Sequence, residues 1–387
     1  MTQPPNGWGN QPLPPPPENG WQGQQPSQQP PMQSPPSWGP QYQQQFTPPP
    51  PPKNNRALKW ALGGTALIAV IAITAVVTMS LGGGDKEKGD GSGPAPTAGS
   101  GSNSEFASAN DTGPITIITE DPSCAASSPI QNTLHDSQDN GWLQRDPSIP
   151  ASEWSPDQRA QYQAAAKAIR NAADQAEPLV KLTPHRVMRQ LYEQFIAYSR
   201  AYADKVPSYT PPDDNLVRTA STVLNLVGDI CAAITEGSAA ARAPLVSPAA
   251  EPGHVADIGD PANPKMFLTS PDPVCSDWVT ATDRFSADTA EWRKIPPSIA
   301  AGVWTPEQKA TTEAVIPIMV GTAETAERLG QRSSNPALQD TAALAGQYFR
   351  AFAQALPTYT PADSYLYDAA RRAFAVVRTA CAAAGTN

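Results

Sequence analysis

Apolar side chains recur at intervals of three and four residues along most of the chain after residue 155. This spacing places them on one face of an α-helix, as in amphipathic helices that pack around a shared core. Alternating patterns typical of β-strands are nearly absent, so the sequence predicts an all-α fold. The clearest stripes are Val187, Leu191, Phe195, Tyr198 and Tyr202, followed by Leu216, Ala220, Val223, Val227 and Cys231.

The pattern occurs twice, in near-constant register 150 positions apart. The segment WSPDQRA at residues 154–160 returns as WTPEQKA at residues 304–310, and PSYTP at 207–211 returns as PTYTP at 357–361. This duplication predicts two tandem homologous helical bundles of three to four helices each. We place the first helical repeat at residues 114–235, an inter-repeat linker at 236–265 and the second helical repeat at 266–387.

Helix starts in both copies are marked by Ser, Thr or Asn followed by Pro. In the first of them, the Ser155 side chain can cap the helix, Pro156 suits the first helical position, and Gln158 can complete a capping box. The remaining starts are Thr305-Pro306, Thr183-Pro184, Asn335-Pro336, Thr210-Pro211 and Thr360-Pro361.

A fourth helix is predicted after the first cysteine of each copy, because Trp278, Phe285 and Trp292 lie seven residues apart on one helix face. Ahead of the cysteines, residues 115–118 are apolar and are echoed by residues 266–268. These two segments are either extended arms that pack the bundles together or plain linker. Plain linker is the simpler interpretation.

Four cysteines bracket the two copies, one near each end of each. Of three possible pairings, the duplication favours Cys124–Cys231 and Cys275–Cys381, because an ancestral single copy needed its own bridge. An up-down-up-down bundle also brings the start of its first helix beside the end of its last. Each bridge would close a loop of over 100 residues, worth ~4 kcal/mol in the chain-entropy model. Zinc is the competing interpretation, but neither a CxxC motif nor a paired histidine is present, so we expect no metal.

The N-terminal part has a different composition. Residues 1–56 are Pro/Gln-rich with few aliphatic side chains, which predicts a disordered cytoplasmic tail. Residues 57–82 contain an uncharged apolar run, Trp60–Leu81, that is long enough to span a hydrocarbon layer of ~30 Å. This run predicts a single transmembrane helix. The Gly/Ser/Ala/Pro-rich residues 83–113 are predicted to form a flexible linker.

Orientation follows from the flanks of this apolar run. Lys53, Arg56 and Lys59 crowd its N-terminal side, and positive charge stays on the cytoplasmic side of a membrane. We therefore expect a single-pass protein of the plasma membrane with a signal anchor, a cytoplasmic N-terminus and an extracytoplasmic C-terminal region. Paired cysteines suit that oxidising side.

The MTQPPNGWGNQ tail, the single apolar helix after KNNRALKW and the Ala/Asp-rich region with paired cysteines resemble the proline-rich, single-pass cell-envelope proteins of mycobacteria and related actinobacteria. Composition and layout carry the likeness, which covers the tail and anchor. The resemblance implies a cell-envelope setting and transfers no site residues.

The sequence contains no motif of a hydrolase, kinase, P-loop or dinucleotide-binding protein. We therefore expect neither enzymatic activity nor a cofactor. The net charge of −9 argues against a nucleic-acid partner. Among residues shared by both copies, we expect the tryptophans to act as hydrophobic staples, the tyrosines to pack in loops, and the arginines to pair with Glu177 and Glu327 or with Asp213 and Asp363. These shared residues are also the candidate binding residues: Trp154, Arg200, Tyr209, Trp304, Arg350 and Tyr359.

The favoured function is a non-enzymatic binding or scaffold protein of the cell envelope, whose outer region binds a protein or another envelope component. Single tryptophans in the tail, Trp8, Trp21 and Trp38, suit weak multivalent binding of a cytoplasmic protein, although the tail is equally interpretable as a spacer. One alternative is a transmembrane sensor that signals between the outer domain and the tail. Another is a hydrolase of envelope lipid or cell wall, which would need a cleft lined by convergent polar groups.

Overall fold

The computed structural model describes residues 105–138 and 141–385. The predictions for the tail, the transmembrane helix and the linker before residue 105 lie outside these residues. All regular secondary structure in the described part is helical, which confirms the all-α prediction. The long helices are α1 (Ser123–Gln138), α2 (Pro156–Ala176), α3 (Arg186–Lys205), α4 (Asp214–Thr235), α5 (Cys275–Asp288), α6 (Pro306–Arg332), α7 (Pro336–Ala355) and α8 (Ser364–Ala383). Leu179–Leu182 and Ser238–Arg242 are short α-helices, and the 3-10 turns are Trp142–Gln144, Ala151–Glu153, Val206–Ser208, Pro211–Asp213, Ala243–Leu245, Trp292–Lys294, Ala301–Val303, Leu356–Thr358 and Pro361–Asp363.

The cap-and-proline signals mark real helix starts. Ser155 and Gln158 form the predicted capping box at α2, and Thr305 and Gln308 form its counterpart at α6. Asn335 caps α7 by accepting a hydrogen bond of 3.1 Å from the backbone of Leu338. The remaining starts also form: capping boxes between Thr210 and Asp213 and between Thr360 and Asp363 precede α4 and α8, while α3 begins at Arg186, three residues after Thr183.

Four helices close into a ring in each copy. In the first copy α1 packs against both α2 and α4, while α3 lies between α2 and α4. In the second copy α5 packs against α6 and α8, with α7 between them. Each ring is closed by a disulfide. Cys124–Cys231 joins α1 to α4 with Cα atoms 5.3 Å apart, and Cys275–Cys381 joins α5 to α8 at 5.6 Å. The predicted pairing is therefore the one in the structure.

The two bundles pack against each other through α4 and α8, and their buried side chains form one continuous core. A buried polar network also crosses between the copies. Arg186 is fully buried, and its Nε donates to Asp340 Oδ2 at 2.8 Å. Asp340 accepts a second hydrogen bond of 2.8 Å from Gln190, while Arg186 also donates to the backbone oxygens of Asp111 and Gly113. Residues 105–385 thus belong to a single compact unit.

The apolar segments ahead of the cysteines are packing arms, not plain linker. Ile115, Ile117 and Ile118 of the first arm and Leu268 of the second are buried. Each arm lies on the opposite copy: the Tyr198 hydroxyl on α3 donates to the backbone oxygen of Leu268 at 3.4 Å, and the Tyr348 hydroxyl on α7 lies beside the backbone of Ile118. Sequence favoured linker because neither segment has a regular period, whereas their burial depends on the docking of the two bundles.

One helix prediction extended too far. Trp292 was placed on one helix face with Trp278 and Phe285, but α5 ends at Asp288 and Trp292 begins a separate 3-10 turn. Pro296 and Pro297 follow four residues later and stop the Trp292–Lys294 turn from extending into a helix, because proline lacks the N–H that a continuing helix requires. The end of α5 changes the direction of the chain and places the Trp292 ring beside α7 and α8.

Among the described residues, one stretch, Pro211–Thr235, is long and apolar enough to cross a membrane by length and composition alone. Half of its most apolar window is buried inside the protein. This stretch contains α4, which packs against α3 and α8 and carries Cys231. Its apolar face is therefore explained by core packing.

Candidate functional site: an aromatic pocket in the second copy

An aromatic pocket of about 260 Å³ lies at one end of the second bundle. Its walls come from four parts of the copy: the turn after α5, the segment before α6, α7 with the turn that follows it, and α8. We call this site the second-copy pocket. Its aromatic walls are Trp292, Trp304, Phe352, Tyr359 and Tyr367.

Local hydrogen bonds hold two of these walls in place. The Trp304 indole N–H donates to the backbone oxygen of Ile299 at 2.9 Å, and the Tyr359 hydroxyl donates to the backbone oxygen of Pro297 at 2.7 Å. The backbone N–H of Ala301 donates to the oxygen of Tyr359 at 2.9 Å. The two rings stack with centroids 5.8 Å apart. These bonds use the polar edges of both rings and leave their apolar surfaces for the pocket.

The first copy forms the same three hydrogen bonds around a stacked Trp–Tyr pair, an arrangement that we call the frame. Trp154 donates to Ile149 at 2.9 Å, Tyr209 donates to Pro147 at 2.8 Å, and the N–H of Ala151 donates to the oxygen of Tyr209 at 2.9 Å. All three bonds recur exactly one repeat length away from their second-copy counterparts. The candidate binding residues Trp154, Tyr209, Trp304 and Tyr359 thus form two equivalent stacked pairs.

In the first copy the frame is filled by its own side chain. The Tyr162 ring, from α2, stacks on Trp154 with centroids 3.9 Å apart and meets Trp142 edge-on at 5.1 Å. The guanidinium of Arg145 lies 3.8 Å from the centre of the Trp142 ring and forms an ion pair with Asp214. Trp142, Trp154 and Tyr162 are all buried as a result.

Three positions around this pair of rings differ between the copies. Thr312 stands at the position that corresponds to Tyr162, Ile295 at that of Arg145, and Ser364 at that of Asp214. Thr312 is buried, and its hydroxyl has no hydrogen-bond partner among the described residues. Because threonine has no ring, Trp304 lacks the stacked ring that covers Trp154 in the first copy.

Another substitution between the copies partly replaces the missing ring. Tyr367 occupies the position of the smaller Val217 and meets Trp292 edge-on at 4.9 Å. Its ring covers one side of Trp292, yet Trp292 and Trp304 remain only half-buried, whereas their first-copy counterparts are buried. The second copy therefore exposes indole surface that the first copy covers.

The rim of the second-copy pocket is basic. Arg293 and Arg371 line it together with Asp368. Arg371 pairs with Asp368 at 2.7 Å, while Arg293 donates to the backbone oxygen of Ser286 at 2.7 Å. The matched first-copy positions of the two arginines are Leu143 and Ser221, and the arginines near the first-copy rings are instead Arg145 and Arg159.

The two tyrosine hydroxyls in the walls stay protonated near pH 7. Burial raises the pKa of Tyr359 to about 12, and the carboxylate of Asp363 adds to this effect. Burial likewise raises the pKa of Tyr367 above its usual value. The Ser364 hydroxyl donates to the backbone oxygen of Pro361 at 2.7 Å. Such a site offers apolar and aromatic contact surface to a ligand.

The two candidate arginines lie away from this site. Arg200 pairs with Asp174 and Glu177 on the outside of the first bundle, and Arg350 pairs with Glu327 in the second. The expected ion pairs with the glutamates are therefore present. Within residues 105–138 and 141–385, no cluster of three or more His, Cys, Asp or Glu side chains could hold a metal ion.

Sequence reasoning missed Trp292, Phe352 and Tyr367 as residues of the site. A usable signal was present in the duplication, because Thr312 is a small residue at a position where the other copy has tyrosine. Residues common to both copies identify the shared frame, whereas the differences between copies identify the opening.

Fold and site together define a class: a disulfide-closed, all-α protein with an open aromatic pocket between the helices of its second copy. The chain belongs to the mycobacterial ESX-1 associated protein family, whose model matches residues 106–385. It is similar to an uncharacterized protein of Mycolicibacterium smegmatis (strain MKD8), with 47% identity over 327 residues that cover 84% of this chain and 86% of that protein. No solved structure matches the chain.

Proposed function

We propose that this protein is a non-enzymatic, single-pass membrane protein of the mycobacterial cell envelope, where its outer helical unit binds a protein partner associated with ESX-1 secretion. The observation that carries the proposal is the second-copy pocket. It opens in a frame that the first copy keeps closed, and exposed aromatic surface in a shaped depression is typical of protein-binding hot spots.

The composition of the pocket supports binding without catalysis. Its one hydroxyl of nucleophile type, on Ser364, donates to a backbone oxygen and has no neighbouring histidine or lysine in the pocket wall. The raised pKa of Tyr359 keeps its phenol protonated. General acid–base chemistry needs a group that exchanges protons near the working pH.

The envelope setting is supported by three independent features. The apolar run Trp60–Leu81 is of membrane-spanning length, the outer unit contains two disulfides, and the family is mycobacterial. In this proposal the positive flank of the run keeps the Pro/Gln-rich tail in the cytoplasm, where its tryptophans recruit a second protein.

The test is crosslinking in intact mycobacterial cells, followed by recovery of the full chain and its partners. Wild type is compared with Thr312→Tyr, which adds the ring that the first copy has at this position and is expected to cover Trp304, and with Thr312→Ser, which adds no ring. The proposal expects an outer partner that is lost with Thr312→Tyr and retained with Thr312→Ser. An identical set of partners from all three chains would refute it.

A further arm deletes residues 2–52 from the same chain. The proposal expects the outer partner to remain and any cytoplasmic partner to disappear. If this deletion removes no partner, the tail is a spacer and the recruiting part of the proposal fails.

A further inference from the structure

The first copy shows which chemical group fits this frame. Its Trp154 and Trp142 hold the ring of Tyr162, one by stacking at 3.9 Å and the other by an edge-on contact at 5.1 Å. Both indoles recur in the second copy as Trp304 and Trp292: Trp292 keeps an edge-on partner, Tyr367 at 4.9 Å, whereas Trp304 lacks the ring that Tyr162 stacks on Trp154. Offset-stacked and edge-on contacts are the geometries that aromatic pairs favour.

The size of the second-copy pocket agrees with a single ring. Its volume of about 260 Å³ lies below the ~300–1,000 Å³ of sites that enclose a whole small-molecule ligand. A lipid chain or an oligosaccharide would extend far beyond it. One aromatic side chain, presented by a larger molecule, fills a space of this kind as an anchor.

The rim adds a charge preference. Arg293 and Arg371 line the opening, and Asp368 offsets one of these two positive charges. A partner that places a carboxylate beside its aromatic residue would therefore meet complementary charge. The matched positions in the closed first site carry no such charge, since they are Leu143 and Ser221.

From these contacts we infer that the second-copy pocket accepts one aromatic side chain, tyrosine or a close relative, from a partner protein that carries an acidic residue next to it. The inference rests on the proposed function for the presence of a protein partner. It adds the chemistry of the anchor, which the second copy lacks and the first copy supplies to itself as Tyr162.

The test uses the purified full chain in detergent and two small probes, N-acetyl-tyrosinamide and N-acetyl-leucinamide, followed by saturation-transfer NMR. Wild type is expected to bind the tyrosine probe saturably and about tenfold more tightly than the leucine probe, because only a ring stacks on Trp304. Equal binding of the two probes would overturn the inference.

Two variants at position 312 test whether the tyrosine probe binds in the second-copy pocket. Thr312→Tyr is expected to weaken the tyrosine probe by about tenfold or more, whereas Thr312→Ser stays within about twofold of wild type. Undiminished binding to a correctly folded Thr312→Tyr chain would place the probe elsewhere and overturn the inference. Selectivity of the wild type for tyrosine remains a separate test if that variant does not fold.

The rim is tested with N-acetyl-glutamyl-tyrosinamide against N-acetyl-glutaminyl-tyrosinamide at low salt. The acidic probe is expected to bind about two- to fivefold more tightly, and Arg293→Gln with Arg371→Gln is expected to abolish that difference. Equal binding of these two probes to wild type would remove the acidic neighbour from the inference.

The two proposals fail in distinguishable ways. If the tyrosine probe binds in the second-copy pocket but Thr312→Tyr loses no partner in cells, the pocket chemistry stands and the proposed function fails. If Thr312→Tyr loses its partner in cells but the tyrosine and leucine probes bind equally, the proposed function stands and the aromatic anchor fails.

Discussion

The two copies share a frame and differ in what occupies it. Both stack a tryptophan on a tyrosine, and both fix that pair through the same backbone oxygens. The first copy then covers its indoles with Tyr162, while the second places Thr312 there and leaves them half-exposed. A duplicated domain can thus keep one copy as a closed structural element and open the other for binding, through a few side-chain exchanges within an unchanged backbone frame.

Loss of a disulfide should have the largest effect on stability. The two disulfides also differ in exposure, which distinguishes the two copies. Loops of 107 and 106 residues predict nearly equal chain-entropy contributions, about 4–5 kcal/mol each. Cys275 and Cys381 are buried, whereas Cys124 and Cys231 are half-buried. Paired Cys→Ala variants, measured by chemical denaturation, should therefore cost at least as much in the second copy. A mild reductant should open Cys124–Cys231 first, and the reverse order in peptide mapping would contradict this comparison.

The contact between copies should depend strongly on one buried carboxylate. Asp340→Ala would remove the closest carboxylate from the fully buried Arg186, which keeps Asp111 at 3.7 Å, and is expected to cost about 3 kcal/mol of unfolding free energy. The exposed pair Arg378–Asp283 provides a control, since Asp283→Ala should cost less than about 1 kcal/mol. Equal losses in denaturant titrations would show that the cross-copy network contributes no more than a surface pair.

Exchange of the filling residue tests the comparison directly. Tyr162→Thr should open the first site and lower the unfolding free energy by about 3 kcal/mol, because a buried ring is lost and a cavity remains. The reciprocal Thr312→Tyr should raise stability by about 1 kcal/mol, since its ring is expected to stack on the half-buried Trp304. Thermal denaturation measures both. A Tyr162→Thr chain as stable as wild type would mean that the first copy is not held closed by this ring.

The smallest expected effect is a pH dependence at the interface of the copies. Burial raises the pKa of Asp229 to about 6, although its partner Arg372 opposes the shift. A folded-state pKa above the unfolded value of 3.8 means that the native state binds more protons between these values, so stability falls as pH rises from about 4 to 6. As pH rises through this window, the unfolding free energy of wild type should fall by about 1–2 kcal/mol relative to that of Asp229→Asn. Parallel pH profiles of the two chains would contradict this assignment. The second copy has Thr379 at the matched position, which does not titrate.

Features of the fold that depend on nearby residues were predictable. Capping boxes at Ser155 and Thr305 need only four consecutive residues, and helical stripes need only a period. The disulfide pairing followed from the duplication, because each copy had to be able to close by itself. The ion pairs of Arg200 with Glu177 and of Arg350 with Glu327 followed from residues that both copies share.

Features that depend on docking were not predictable in the same way. Residues 115–118 carry no periodic signal, and their burial arises only because each arm crosses to the other bundle. The Arg186–Asp340 pair joins residues whose counterparts, Pro336 and Gln190, cannot form the same contact. Trp292 was placed on a continuing helix, since its spacing fits one, and the chain instead turns after Asp288.

For this protein, the sequence by itself determined the helices, their starts, the two copies and the cysteine pairs, because these depend on local periodicity and on a comparison of one half with the other. Tertiary structure decided how the copies dock and which frame stays open. Stacking of Tyr162 on Trp154, and its absence at Trp304, brings together side chains from separate helices and turns. A local sequence pattern depends only on nearby residues, so it cannot predict a cavity whose walls come from distant parts of the chain.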